Sequence, residues 1–418
     1  MATASNQQAE DGTSARGRAW APPPWEQLTI VQVGDDTAAA FAGRLFVELG
    51  CRVILVERPG ERAEREAGSP ESGANVGRSS TFTYLNWAKQ GVTLDYAREE
   101  GVALLARLAK RADVLIRPLL PGAMEEHWRS LDIDGARAAG LVELVLSPFG
   151  EPGPDAGPYA DPAAPWQADA GAALALAGMP YTTGDPAKPP LLSQPEVAAH
   201  ATAVEAFMSV LATLHWRMRT GRGSHIDLSM HDAAVAFDEY NLVLPATVGV
   251  VRQRFYSRII QGYPSDIFEC RNGWLVVLGS FNFQEMSLLI GRPELLDDPL
   301  FADRNYRTAH WRELHALLAA WFIEQDRDEV VQRAQELRLM VSPVIRVGEL
   351  AEHPHVQARE GVRHESDPLG DVPLIAPPFR LASWQPRHEP APAVGEHTAQ
   401  ILGAVANEER AEATGGAR

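Results

Sequence analysis

Few residues in this chain have the types and spacing to do chemistry. Thr220-Gly221-Arg222-Gly223-Ser224 is a glycine-flanked arginine turn, a form that can offer backbone N–H groups and a guanidinium to a phosphate. Taken alone the turn is bland, and its plainer reading is the stop of a helix. A β-rich run, Thr29 to Val33, is followed by Gly34-Asp35-Asp36-Thr37-Ala38. A dinucleotide held there needs a glycine fingerprint, and two acids would repel its pyrophosphate, so an NAD-dependent dehydrogenase is excluded. His353 with His355, and His388 with His397, could suggest a metal. They stand in loops beside proline, and no metal site is expected. Cys51 and Cys270 are too few and too far apart in sequence for a disulfide scaffold or a zinc site.

The elements that must position these residues follow from periodicity. The run 29–33 is a strand, 38–49 a helix with Phe41, Leu45, Phe46 and Leu49 at helical spacing, Gly50 a stop, and 52–56 a second strand. Strand, helix, glycine stop and strand make the βαβ unit of a parallel sheet. A helix over 99–111 leads into a strand at 113–116, and 141–146 is another buried strand, so this half is expected to be Rossmann-like. A long helix begins at Glu196, with Val204, Phe207, Met208, Leu211 and Leu214 forming its apolar stripe and Arg217 and Arg219 near its C-terminal end, where cations suit the helix dipole. A short strand follows at 226–230. Further strands are expected at 274–278 and 342–345, and helices at 283–290 and 313–325.

Composition bounds the class. The chain has 418 residues, 45% of them hydrophobic and 22% charged, enough for a large core and two domains. Its formal charge of −17 argues against nucleic acid as a partner, because a phosphate-backbone binder needs a basic surface. No apolar run is expected to reach the length of a membrane span. Residues 1–18 are polar and lack the apolar stretch of a signal peptide, so a disordered tail and a cytoplasmic location are expected.

The motifs in their order resemble the family III CoA-transferases, the group that includes formyl-CoA transferase, carnitine CoA-transferase and α-methylacyl-CoA racemase. The most recognisable signature is Thr220-Gly221-Arg222-Gly223 followed by Ile226-Asp227 and Asp232-Ala233. Before it come Leu49-Gly50 with Val56-Glu57-Arg58, then Tyr84-Leu85-Asn86-Trp87-Ala88-Lys89 with Leu94-Asp95, then Pro121-Gly122-Ala123-Met124-Glu125. After it come Asp298-Pro299-Leu300-Phe301, Ala376-Pro377-Pro378-Phe379 and Gly395-Glu396-His397-Thr398. The series is collinear over roughly residues 25 to 405.

The resemblance implies an α/β fold: a Rossmann-like large domain with an inserted smaller α+β domain, two chains threading into an interlocked dimer. The boundaries expected are a tail at 1–24, the large domain over 25–230, the small domain over 231–335, the return of the large domain over 336–405, and a flexible tail over 406–418. Family members move CoA from a donor thioester to a carboxylic acid. Their aspartate attacks the thioester carbonyl, forms a mixed anhydride, and then carries CoA as an enzyme thioester.

Counting back from Thr220 over the family's gap places Ala199 at that aspartate position, and a methyl group can do none of this chemistry. The fallbacks are Glu196, three residues earlier and so expected on the same helical face, and His200 as a base. Of the family's CoA-contacting positions, Arg58, Asn86 and Lys89 are kept. Others depart: Leu120 stands in the CoA-holding loop, Glu126 replaces an arginine, and Asp36 enters the first turn in place of the family's residues. No metal is implied, and CoA thioester is expected to bind this chain weakly or not at all. The first reading is the non-catalytic subunit of a heteromeric CoA-transferase, paired with an Asp-bearing homologue in a heterodimer or heterotetramer. The alternatives are a homomeric CoA-thioester isomerase or dehydratase using Glu196 or His200, and a non-enzymatic sensor of a CoA ester or acid.

Overall fold

The computed structural model describes residues 25–34, 36–60, 65, 79–120, 123–152, 168–192, 194–256, 258, 262–279, 281–367, 370–380 and 389–415. The expected N-terminal tail, Asp35, Pro121, Gly122 and His388 lie outside them. The fold is mixed α/β around a six-stranded parallel sheet in the order β3-β2-β1-β4-β5-β6. The strands are β1 (Thr29–Val33), β2 (Arg52–Glu57), β3 (Gln90–Thr93), β4 (Val114–Pro118), β5 (Val142–Ser147) and β6 (Ser224–Ser229). All neighbours pair in parallel, Ile30 beside both Val53 and Val114. The four inner strands are nearly continuous buried runs because helices cover both faces, whereas the edge strands β3 and β6 are more polar. The order reverses between β1 and β4, which puts a crevice at their carboxyl ends.

The helix expected at 38–49 is α1 (Thr37–Glu48), ended at Gly50 with φ +93°. It packs on the 26-residue α2 (Pro195–Thr220). The face that α2 buries overlaps the stripe read in sequence only in part: Leu214 is buried and Phe207 and Leu211 pack against the core. Ala199, Thr202, Ala203, Ala206, Val210 and Leu214 are buried, whereas Met208 is 56% exposed and Val204 38%. Small residues win because they meet Ala38, Ala39 and Ala42 of α1, and two alanine faces let the helix axes approach closely. A further correction concerns length. By length and composition α2 could cross a membrane, contrary to the sequence expectation; one face of it packs on α1 and the sheet, and a third of its apolar stretch is buried.

The turn at 220–224 ends α2 and starts β6. Gly221 takes φ +74°, and a Cβ on Gly223 would sit 1.8 Å from the carbonyl oxygen of Leu141. Both glycines are required by backbone geometry, so the signature turn is explained without a phosphate.

A second core forms around a three-stranded antiparallel sheet, β7 (Ser265–Cys270), β8 (Gly273–Leu278) and β9 (Met340–Val344). Phe268, Leu275, Val277, Met286, Leu318 and Phe322 fill it. The strand read at 342–345 was expected to begin the return to the large domain at 336; instead it pairs with β8. A hairpin, β10 (Val362–Asp367) with β11 (Gly370–Ile375), which periodicity had not shown, brings the chain back against α1. There Arg363 lies 3.5 Å from Glu48. The Gly-Glu-His-Thr segment then closes the edge of the parallel sheet. His397 Nδ1 accepts from the Gly91 N–H, and Thr398 Oγ1 accepts from the Thr93 N–H. The last helix, Thr398–Gly415, continues past the point where a flexible tail was expected to begin.

Candidate functional site

The site suggested by sequence gathers around α1. At its start Asp36 is the N-cap, its Oδ1 accepting from the N–H groups of Ala38 (2.9 Å) and Ala39 (3.1 Å). In a sheet of this order, the helix after β1 offers its N-terminus to an anion. Here the chain's own carboxylate occupies those donors.

Beneath α1 lies a buried polar network built on Lys89. Its Nζ donates to Gln32 Oε1 (2.6 Å), to the carbonyl of Ala40 (2.8 Å) and to Asn86 Oδ1 (2.9 Å), and Lys89 is 2% exposed. Gln32 and Asn86 are equally buried; their amides donate to the carbonyls of Gly34 and Phe82. Gly43 is needed for this approach, because a Cβ there would lie 2.5 Å from Gln32 Oε1. Three acceptors match the three protons of an ammonium. Asn86 and Lys89 therefore brace α1 from inside the fold.

Ala199 faces α1 from the first turns of α2. It is 4% exposed and belongs to the apolar cluster that contains Ala38, Ala39, Ala42 and Phe46. Glu196 lies in the first turn of the same helix but is exposed, so the three-residue spacing does not bring its carboxylate to the buried position. His200 packs against Phe41 of α1 in a tilted arrangement, with ring centroids 4.4 Å apart and planes at 55°. Its Nδ1 donates to the carbonyl of Glu196 (2.6 Å), which leaves Nε2 as the basic nitrogen.

Arg58 lies apart from this group, at the carboxyl end of β2. Its Nε is 3.9 Å from Asp95 and its guanidinium sits 5.7 Å from the ring centroid of Tyr96. Tyr96 in turn borders Gly34 and Pro118, at the switch-point crevice. Leu120, two residues beyond β4, is buried, its N–H donating to Glu125. Glu126 is exposed on the helix Met124–Arg129. The structure thus joins Asn86 with Lys89, joins Ala199 with His200, links the two pairs through α1, and leaves Arg58 at the crevice.

The strongest charge cluster was not singled out in sequence. Glu143 on β5 is 1% exposed and accepts from Arg117 (2.8 Å) and the Trp128 indole (2.9 Å), with His225 Nδ1 3.3 Å away. His225 also bonds Glu151, and Arg117 pairs with Glu125. The two carboxylates push His225 up to about 9 against the effect of its burial. Burial alone would raise Glu143, but His225 and Arg117 outweigh it and hold it at about 2. The only sequence signal was a glutamate inside the apolar run Leu141 to Leu146, which demands a partner. Among the described residues no group of three His, Cys, Asp or Glu side chains could hold a metal. Both cysteines are buried free thiols, and burial pushes Cys270 up to about 11.

Comparison with known proteins assigns the family. The family described as CoA-transferase family III matches residues 25–398, and the chain belongs to it. Members of this family use CoA thioesters as substrates. The chain is 28% identical over 392 residues to a succinyl-CoA–D-citramalate CoA-transferase of Chloroflexus aurantiacus, covering 91% of this chain and 94% of that protein. It is 27% identical over 410 residues to the alpha subunit of succinyl-CoA–L-malate CoA-transferase of the same species, covering 94% and 91%. A crystal structure of a CaiB/BaiF family protein from Brucella suis shares the fold, with TM-score 0.78, 24% identity, and 91% and 99% of the two chains covered.

Proposed function

We propose that this chain is the non-catalytic subunit of a heteromeric CoA-transferase acting on an acyl-CoA and a carboxylic acid. The observation that carries the reading is Ala199. Where the family resemblance places a nucleophilic aspartate, this chain has a methyl group packed among alanines and Phe46. The nearby carboxylate, Glu196, points to solvent and does not replace it. The occupied N-terminus of α1 argues the same way, since Asp36 takes the donors a phosphate would use. A relative named as an alpha subunit supports a heteromeric assembly.

The assembly is an interlocked dimer with an Asp-bearing homologue, the chain dividing into a large domain and an inserted small one. Its support is the apolar surface left on one chain. Met208 and Met218 on α2 are 56% and 65% exposed, and Leu242, Val248 and Val251 beyond β6 are all above 60%. Large apolar side chains exposed in this number are what a partner chain would cover. Buried free thiols suit a reducing compartment, the cytoplasm.

The test is to purify the chain alone and together with an Asp-bearing homologue from the native host. CoA transfer should be absent from the first preparation and present in the second. Full activity of the chain alone would overturn the reading.

A further inference from the structure

Glu143 and Ala199 lie on opposite faces of the parallel sheet. Val142 and Leu144, the neighbours of Glu143 on β5, belong to the apolar cluster that holds Ala199. Alternation along the strand turns Glu143 the other way, where it meets the Trp128 indole. On that second face a cavity of about 340 Å³ opens between β5, the edge strand β6 and the helices Met124–Arg129 and Ile133–Ala138. Four cationic side chains line it, Arg117, Arg129, Arg137 and His225, against the carboxylates of Asp134, Glu143 and Glu151, in a chain whose formal charge is −17.

These charges are not all committed to one another. Arg117 is: its guanidinium donates to Glu143 (2.8 Å), to both oxygens of Glu125 (2.9 and 3.0 Å) and to the carbonyl of Pro118 (3.1 Å). Arg129 is half-exposed and stands 3.7 Å from Glu125 and 3.9 Å from Glu151, beyond hydrogen-bond length. Arg137 donates to Asp134, whose side chain faces solvent, and stays 3.6 Å from Glu143. Its Nε is buried and, among the described residues, has no hydrogen-bond partner. A buried donor left unmade costs free energy, which a bound acceptor would recover. Glu151 is the carboxylate that competes with an incoming anion, and it is already engaged by His225. Glu143 and Glu151 in turn hold His225 charged at neutral pH. The cleft thus keeps two guanidinium groups with uncommitted donors.

We infer that this cleft binds a small oxyanion of the phosphate class, as the free ion or as the end group of a phosphomonoester. Its oxygens meet the N–H groups of Arg129 and the Nε edge of Arg137, planar forks that suit such an anion. The site goes beyond the proposed function and draws on nothing at position 199, which lies across the sheet.

The test is calorimetry on the full chain in a zwitterionic buffer, with inorganic phosphate and glycerol 3-phosphate as probes. One saturable site is expected, and the tighter of the two probes tells the free ion from the monoester. Arg137→Gln should weaken binding by about tenfold, the loss of a charge-assisted hydrogen bond. Arg129→Gln changes a half-exposed side chain and should weaken binding severalfold, which decides the matter if Arg137→Gln does not fold. Arg58→Gln, at the switch-point crevice, should leave the affinity unchanged. The absence of saturable binding of either probe at millimolar concentration overturns the inference. So does unchanged affinity in Arg129→Gln, or a loss of affinity in Arg58→Gln, which would place the anion at the crevice instead.

Discussion

Asp36 Oδ1 lies 2.9 Å from the amide nitrogen of Ala38, so the first turn of α1 carries a carboxylate where comparable folds receive a phosphate. Two effects meet at this residue, helix capping and anion exclusion, and substitution separates them. Asp36→Ala should cost about 1 kcal/mol of stability through the lost cap. Asp36→Ser keeps a capping oxygen and removes the charge, so it should lose less. Sulfate should then raise the melting temperature of Asp36→Ser more than that of the wild type. An identical sulfate response in both proteins would show that the carboxylate does not guard this helix end.

Lys89 distinguishes bracing from ligand binding. Lys89→Met leaves Gln32 Oε1 and Asn86 Oδ1 without this donor, in a region closed to water, while the Ala40 carbonyl keeps its helical bond. Unsatisfied buried acceptors cost about 1–3 kcal/mol each, so the urea midpoint should fall well below that of the wild type. A variant as stable as the parent would return Lys89 to the role of a surface-facing CoA contact.

The His225 cluster sets a pH dependence. The folded-state pKa of His225 is raised from 6.5 to about 9, so its contribution is fully present below about 6.5 and is lost as the pH rises through about 9. Glu143 is lowered to about 2, so its contribution is present above the ordinary carboxylate range and is lost as the pH falls through about 2. Urea midpoints should therefore decline between pH 7 and pH 10, and His225→Gln should flatten that decline. An alkaline decline of equal size in the variant would assign it to other groups.

Ala199→Asp tests whether one lesion explains the missing nucleophile. The new carboxyl would enter an apolar cluster with no cation among its members. Burying it unpaired should cost about 2–4 kcal/mol and keep it largely protonated. The variant should melt earlier than the wild type and transfer no CoA. Activity in this single variant would show that the rest of the site is intact.

Much of the parallel sheet was legible from sequence, because buried parallel strands read as apolar runs and glycines mark their helix stops. Gly50, Gly221 and Gly223 behave as such punctuation. The face of α2 was read only in part: Phe207, Leu211 and Leu214 do pack on the core, but Val204 and Met208 do not, because close packing on α1 selects alanine. The partner of β9 was missed because pairing is a long-range property that period and propensity do not carry. For the site, position 199 was found through the spacing to Thr220. The burial of Lys89 and the Glu143–His225 pair were not legible, since their partners stand 57 and 82 residues away.

The central claim is that this chain alone lacks a working CoA site, and calorimetry with CoA itself addresses it whatever the acyl group. Asp36 at the helix end, Glu126 on the exposed helix and the missing carboxylate at 199 each act against a polyanionic ligand or its chemistry. The two carboxylates, at about 1 kcal/mol each near a surface, lower affinity by roughly one to two orders of magnitude. The purified chain should show weak binding or none, in the wild type and in Ala199→Asp alike, and a complex with an Asp-bearing homologue should show one tight site per heterodimer. Tight, stoichiometric CoA binding to this chain alone would contradict the account.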